Sequence, residues 1–170
     1  MDTGINKITS DQPSLNGQAQ NLDDRLWLDA TLRQFDEILR ESYDKSIEDF
    51  ADSILYHFAK ITQALRGTFF IADKEKELVT AVGGFACRPE KLPQKEFFWG
   101  EGLIGQAVKA QEKIYMDNLP QQSITVASSL GQVPASTLLI IPLIFHEEAY
   151  GAIRNHTQLF RYILEKSRHS

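Results

Sequence analysis

At 170 residues, with 42% hydrophobic and 24% charged residues, the chain suits one domain with an appended helix, whose core needs no disulfide or metal to hold it. A formal net charge of −5, with no basic stripe in the body of the domain, argues against nucleic acid as the main partner. The longest apolar run, 138–145, is too short to span a membrane and the first residues lack the apolar core of a secretory signal, so the chain reads as cytoplasmic.

Residues 1–21 are rich in Asn, Gln, Ser and Gly and read as a disordered tail. From Asp23 the pattern turns helical. Leu28, Leu32, Phe35 and Leu39 recur at 4-3-4 spacing, with Asp29, Arg33, Asp36, Glu37 and Arg40 elsewhere. That narrow seam is the a/d pattern of a coiled coil, so a helix over 22–43 would make a homodimer interface. Two heptads equally allow the stripe to pack on its own domain. A second helix starts near Ser46, an N-cap residue with Glu48 and Asp49 in the first turn. Its Ile47, Phe50, Ala51, Ile54, Phe58 and Ile61 make a stripe wide enough to lie on a sheet, and Gly67 is expected to end it.

Next comes a hairpin, 68–72 and 78–86, about a charged turn at 73–76. Gly83 and Gly84 in its second strand point to a bulge or bend. Cys87 is alone and is expected to be a small, half-buried strand residue. Arg88 is the only cation near it in sequence, so no reactive thiol is expected. A loop at 91–94 leads to the most informative stretch, FFWGEGLIGQAVKAQEKIYMDNLP (97–120). It reads as a strand end, a glycine-rich turn, a short helix, a tight turn, and a strand ending in Asp117. Gly100 and Gly102 flank Glu101 where a backbone leaving a strand needs φ values that glycine adopts freely. Gly105 falls on the first helical turn, where a missing Cβ allows close packing.

Gly100, Gly102 and Gly105 also spell the G-x-G-x-x-G of dinucleotide-binding units. There the motif follows a first strand and precedes an acid about 20 residues on. Here Asp117 comes 15 residues after Gly102, more than half the chain precedes the motif, and no alternating strands and helices follow. A turn with a packing glycine is the better reading.

Residues 118–135 are Gln, Ser, Gly and Pro with few apolar anchors, a length that marks a lid or binding segment, and 123–130 form a short element within it. TLLIIPLIF (137–145) reads as a strand buried on both faces, with Pro142 at a bulge or an unpaired edge. His146, Glu147 and Glu148 turn the chain into a return strand at 149–153.

With these parts in order, the sequence resembles the GAF domain family of sensory modules. The likeness rests on WGEGLIG (99–105) and the helix that follows, IYMD (114–117), IPL (141–143) and AYGAI (149–153). The LWLD and FDEIL segments of the preceding helix look like those that lead into GAF domains of bacterial histidine kinases. The resemblance implies an α+β fold: a six-stranded antiparallel sheet with helices on both sides, preceded by a long N-terminal helix. One face of that sheet encloses a ligand cavity. On that template Phe85, Trp99, Ile104, Val108, Tyr115 and Leu139 are candidates for an apolar lining, with Tyr115 and Asp117 as polar handles. Glu101 and Gly102 stand at the helix N-terminus, where free amides suit an anion or a carbonyl. The alternative is that these aromatics fill a core with no cavity.

Departures from the family's patterns narrow its roles. The residue set of cyclic-nucleotide-binding members is absent, and Cys87 is followed by Arg88 instead of the histidine common in bilin-binding members. Members that reduce free methionine sulfoxide need at least two cysteines. Neither His57 nor His146 suits haem, and His146-Glu147 lacks the second histidine of a zinc-protease helix. No cofactor, no metal and no catalysis are therefore expected.

After Ile153 the family usually continues with an acid and several apolar residues, whereas this chain runs RNHTQLFRYILEKSRHS, with four Lys/Arg and one Asp/Glu. The domain is thus set at 44–153, and 154–170 is an atypical basic segment. That leaves the last strand at risk of being incomplete and a truncation or frameshift in view. The expected function is a non-catalytic sensory or regulatory GAF domain of a bacterial signalling protein. It would bind an unknown small ligand or a partner and relay the event through flanking helices. A ligand-free dimerisation module, or a truncated remnant of a histidine kinase, is the alternative.

Overall fold

The computed structural model describes residues 15–120, 125–128 and 131–157. Two compact units divide the chain, Met1–Glu37 and Ile38–Ser170. Helix α1 spans Leu15–Glu41. It begins before the expected Asp23, because Gln and Ala in 15–21 are good helix formers even where no apolar stripe announces them. The rest of the expected tail, 1–14, lies outside the described residues. Of the expected seam, Leu28, Leu32 and Leu39 are exposed and Phe35 is half-buried, while Ile38, outside the seam, is buried.

Helix α2, Ile47–Thr62, starts where the sequence places it, since the Ser46 hydroxyl accepts from the Asp49 amide at 3.1 Å. Ser46→Ala is expected to cost about 1 kcal/mol in urea unfolding. The helix stops at Gln63, which takes the left-handed conformation (φ 54°), and not at Gly67. That glycine lies inside the next strand, where an added Cβ would sit 2.8 Å from Asn155 Oδ1 and 3.2 Å from Leu55.

The remaining elements are β1 (Arg66–Asp73), β2 (Leu78–Phe85), β3 (Glu96–Phe98), α3 (Gly102–Ala110), β4 (Ile114–Met116), β5 (Thr125–Ser128), β6 (Gly131–Pro134), β7 (Thr137–Phe145) and β8 (Glu148–Thr157). Six of the strands form one antiparallel sheet in the order β3-β2-β1-β8-β7-β4. An all-antiparallel sheet excludes the doubly wound layer on which a dinucleotide would sit. The long polar stretch holds a separate two-stranded element, β5 with β6. Pro142 pairs with Ala152 on one side, whereas β4 reaches only to Ile140, so its missing N–H falls on an unpaired edge among the described residues.

The last strand is not cut short. It runs ten residues to Thr157 and pairs with β1 as far as Arg66 and with β7 as far as Thr137. Arg154, Asn155, His156 and Thr157 therefore belong to the middle of the sheet. Polar composition hid this, because buried Arg and His are uncommon enough to read as surface.

The two faces carry different cores. Ala51, Ile54, Leu55 and Ala59 of α2 are buried on the side to which Phe69 points, with the Phe50 and Phe69 rings 6.0 Å apart edge to face. The opposite face holds Phe70, Val79, Ala81, Leu138, Ile140 and Ala152, packed with Ile104, Ala107 and Val108 of α3. The bulge expected from Gly83 and Gly84 is present. Phe69 pairs with Gly83 and Phe70 with Ala81, which leaves Val82 as the extra residue. It reverses the parity of β2: Ala81 faces α3, while Gly83 faces α2 and an added Cβ there would lie 2.5 Å from that of Ala51.

Candidate functional site

Positive φ values at Gly100 (86°) and Gly102 (57°) turn the chain from β3 into α3, as the sequence demanded. Glu101 stabilises this turn from within. Its carboxylate accepts from the Phe98 amide at 2.8 Å and from Gln94 Nε2 at 3.0 Å, and these bonds, the backbone one first, hold its pKa below the usual carboxylate range. The acid is therefore spent on the turn and does not cap α3 with its side chain. Behind it, Trp99 packs against the α3-side core with its Nε1 buried and without a partner among the described residues.

The nine expected lining residues do not all meet. Trp99, Ile104 and Val108 share the α3-side core, and Glu101 and Gly102 stand exposed at the helix N-terminus. Phe85 is on the other face, beside Gly67 and against Tyr56 with ring centroids 6.4 Å apart, because the bulge flips its parity. Leu139 also points away. Its neighbours Leu138 and Ile140 take the α3 side, and Tyr115, directly opposite Leu139, shares its direction. Asp117 is exposed just past β4.

The register brings instead a set of residues that sequence reasoning missed. Thr68 is opposite Arg154, Arg66 is opposite His156, and Leu138 and Ile140 flank the pair from β7. Directly opposed residues point to one face, so Arg66, Thr68, Phe70, Arg154 and His156 all look toward the α3 side. The Arg154 guanidinium lies 5.2 Å from the centroid of the Phe70 ring, and its Nη2 donates to Thr68 Oγ1 at 3.5 Å. Cys87 is in a bend, not a strand. Its thiol donates to the Gly67 carbonyl at 3.1 Å and lies 3.6 Å from Thr68 Oγ1. Cys87 in turn acts on Arg154, raising its pKa against the effect of burial. The signal that could have found this cluster was the R-N-H-T break in an otherwise apolar last strand.

Electrostatically the cluster is uncompensated. Burial first, then Arg66, pushes the Arg154 pKa down to about 10, opposed by Cys87. Burial, then Arg154 and Arg66, pushes His156 down to about 4. No carboxylate acts on either group among the described residues. Arg66 Nε, Arg154 Nε and His156 Nδ1 are buried without partners among the described residues.

Residues 44–160 match the family model of the GAF domain. The chain belongs to the GAF domain family. Solved GAF domains share its fold. The GAF domain of a phosphoenolpyruvate-protein phosphotransferase (ptsP) from Coxiella burnetii superposes with a TM-score of 0.57 at 19% identity, over 75% of this chain and 77% of that one. The A. Aeolicus nlh2 GAF domain in an inactive state gives a TM-score of 0.60 at 13% identity, over 84% and 86%. The free methionine-R-sulfoxide reductase from Neisseria meningitidis gives 0.51 at 14%, over 71% and 69%. No curated protein matches the chain. GAF domains are generally regulatory or sensory modules, although some structural neighbours, such as that reductase, are enzymes. Among the described residues of this GAF domain no helix is long and apolar enough to cross a membrane.

Proposed function

We propose that this GAF domain is a non-catalytic sensory module of a bacterial signalling protein, taking a small ligand on the α3 side of its sheet. The observation that carries the reading is the set of polar atoms buried there without partners among the described residues, Arg66 Nε, Arg154 Nε and His156 Nδ1. Buried polar groups are ordinarily satisfied, and orphaned ones call for a partner that binds. Strand β1 supplies the relay. Thr68 and Phe70 look toward the ligand, while on the other face the Phe69 ring meets Phe50 of α2 and a Cβ at Gly67 would meet Leu55. A ligand that moves β1 therefore moves the helix behind it. Such coupling is worth about 1–3 kcal/mol, enough to bias a helix pair but not to refold a domain.

The lone Cys87, its thiol bonded to a carbonyl, supports a binding role over a two-cysteine reductase cycle. The LWLD and FDEIL segments of α1 support a histidine-kinase-like context. Native mass spectrometry of the purified protein, with thermal shift against a metabolite collection, tests the sensing role. An adduct or a stabilising compound is expected; a ligand-free mass and no shift from any compound would reject it.

A second reading, a dimerisation module, is favoured by the exposed Leu28, Leu32 and Leu39 of α1, about half accessible each (48%, 57% and 51%). Leu28→Asp with Leu32→Asp, both exposed where Phe35 is not, is expected to weaken self-association about tenfold or more. Sedimentation that finds wild type monomeric at high concentration would end this reading.

A further inference from the structure

We propose that the ligand is a small oxyanion, held through a carboxylate or phosphate head by Arg66 and Arg154 across β1 and β8, with Thr68 and His156 completing the site. The inference rests on the sensory reading above and gives its ligand a chemistry. His156 is 3% exposed and, among the described residues, has no partner at Nδ1, and Arg66 opposite it and Arg154 two positions before it each carry a buried Nε without a partner there. The two guanidiniums on neighbouring strands repel one another, and together with burial they keep the imidazole neutral. Partly burying like charges with no counter-ion among the described residues is costly.

An anion removes that cost. A guanidinium offers paired N–H donors that match two oxygens of a carboxylate or phosphate, and such charge-assisted bonds are the strong ones. Thr68 Oγ1, already beside Arg154, adds a hydroxyl. The apolar wall of Phe70, Leu138 and Ile140 lowers the local dielectric and strengthens each contact.

No carboxylate acts on Arg154 or His156 among the described residues. The sequence 121–134, between β4 and β7, has no Asp or Glu. The departure from the family's acid-and-apolar continuation after Ile153 is what provides Arg154 and His156. Thus the segment that looked like damage to the last strand equips the face of the sheet.

Binding should also take up protons. An anion between the arginines favours the imidazolium of His156, which faces Arg66 and Arg154, with Cys87 beyond Thr68. Affinity should therefore rise as the pH falls from 8 toward 6.

Calorimetry and thermal shift on the full chain with inorganic phosphate, sulfate and malonate, against chloride at matched ionic strength, test the proposal. Phosphate or malonate is expected to bind and raise Tm where chloride does not, and the better of the two identifies the head group. Arg66→Gln should weaken binding about tenfold or more. Arg154→Met should abolish it while leaving the unliganded Tm equal to or above wild type, since it removes an uncompensated charge. Equal stabilisation by chloride, no binding of any probe, or undiminished binding by both arginine variants would overturn the proposal. A neutral compound found by mass spectrometry, with no oxyanion response, would leave the sensory reading standing and this one rejected.

Discussion

Gly105→Ala is expected to destabilise the domain by about 3 kcal/mol, the heaviest cost of any single methyl group in the signature turn. An added Cβ would sit 2.1 Å from the Phe98 carbonyl oxygen and 3.1 Å from the Gly100 nitrogen. Neither neighbour is free to yield. The Phe98 oxygen accepts from the Glu101 amide at 2.9 Å, and the Gly100 amide donates to the Gly105 carbonyl at 2.9 Å. The Phe98 amide is in turn held by the Glu101 carboxylate at 2.8 Å. Alanine would thus push α3 off β3 and break the network that orients Trp99. Gly102→Ala is the matched control. It meets only the Phe97 ring, at 3.5 Å, and pays about 1 kcal/mol for its left-handed φ. Urea unfolding followed by tryptophan fluorescence should rank Gly105→Ala well below Gly102→Ala. The reverse order would mean that the turn is not a packing device.

Much of the fold was legible because its signals are local. The Ser46 cap, the 73–76 turn, the Gly100–Gly102 turn and the apolar run of β7 each declare themselves within a few residues. The six-stranded antiparallel sheet came from the family resemblance, not from any of these, and its strand order came only with the structure. What stayed hidden was parity. One extra residue, Val82, sends Phe85 to the α2 side, and the two glycines that announced a bulge could not say which side of it would keep the original direction. β7 hid its faces for a different reason: a strand apolar at every position offers no alternation, so Leu139 was chosen where Leu138 and Ile140 point at α3. The end of α2 was misplaced because Gln63 adopts a left-handed cap without being glycine. The basic cluster was hardest to see, since Arg66 and His156 are 90 positions apart in sequence and meet only through the β1–β8 register.

That register has a measurable consequence in acid. Between pH 6.5 and about 4, His156 alone is expected to remove up to about 3 kcal/mol of stability from the unliganded protein. The sign follows from which state takes the proton. In the unfolded chain His156 titrates near its ordinary 6.5, whereas in the folded one burial, Arg154 and Arg66 hold it down to about 4. As pH drops through this window the unfolded state gains a proton that the folded state refuses, so unfolding is favoured. The stabilisation is complete above 6.5 and gone below 4. Glu101 and Asp73, whose pKa values are lowered by hydrogen bonds, add losses of the same direction, but these begin only near the usual carboxylate range. His156→Gln isolates the histidine. Urea unfolding at pH 7.5, 6.5, 5.5 and 5.0 should show wild type losing stability faster than the variant across that span. Saturating phosphate or malonate should flatten the wild-type slope, because an anion between the arginines returns the proton to the imidazole. Parallel slopes for wild type and His156→Gln would mean that His156 is reached by solvent, and that the strand pairing that buries it beside Arg66 is wrong.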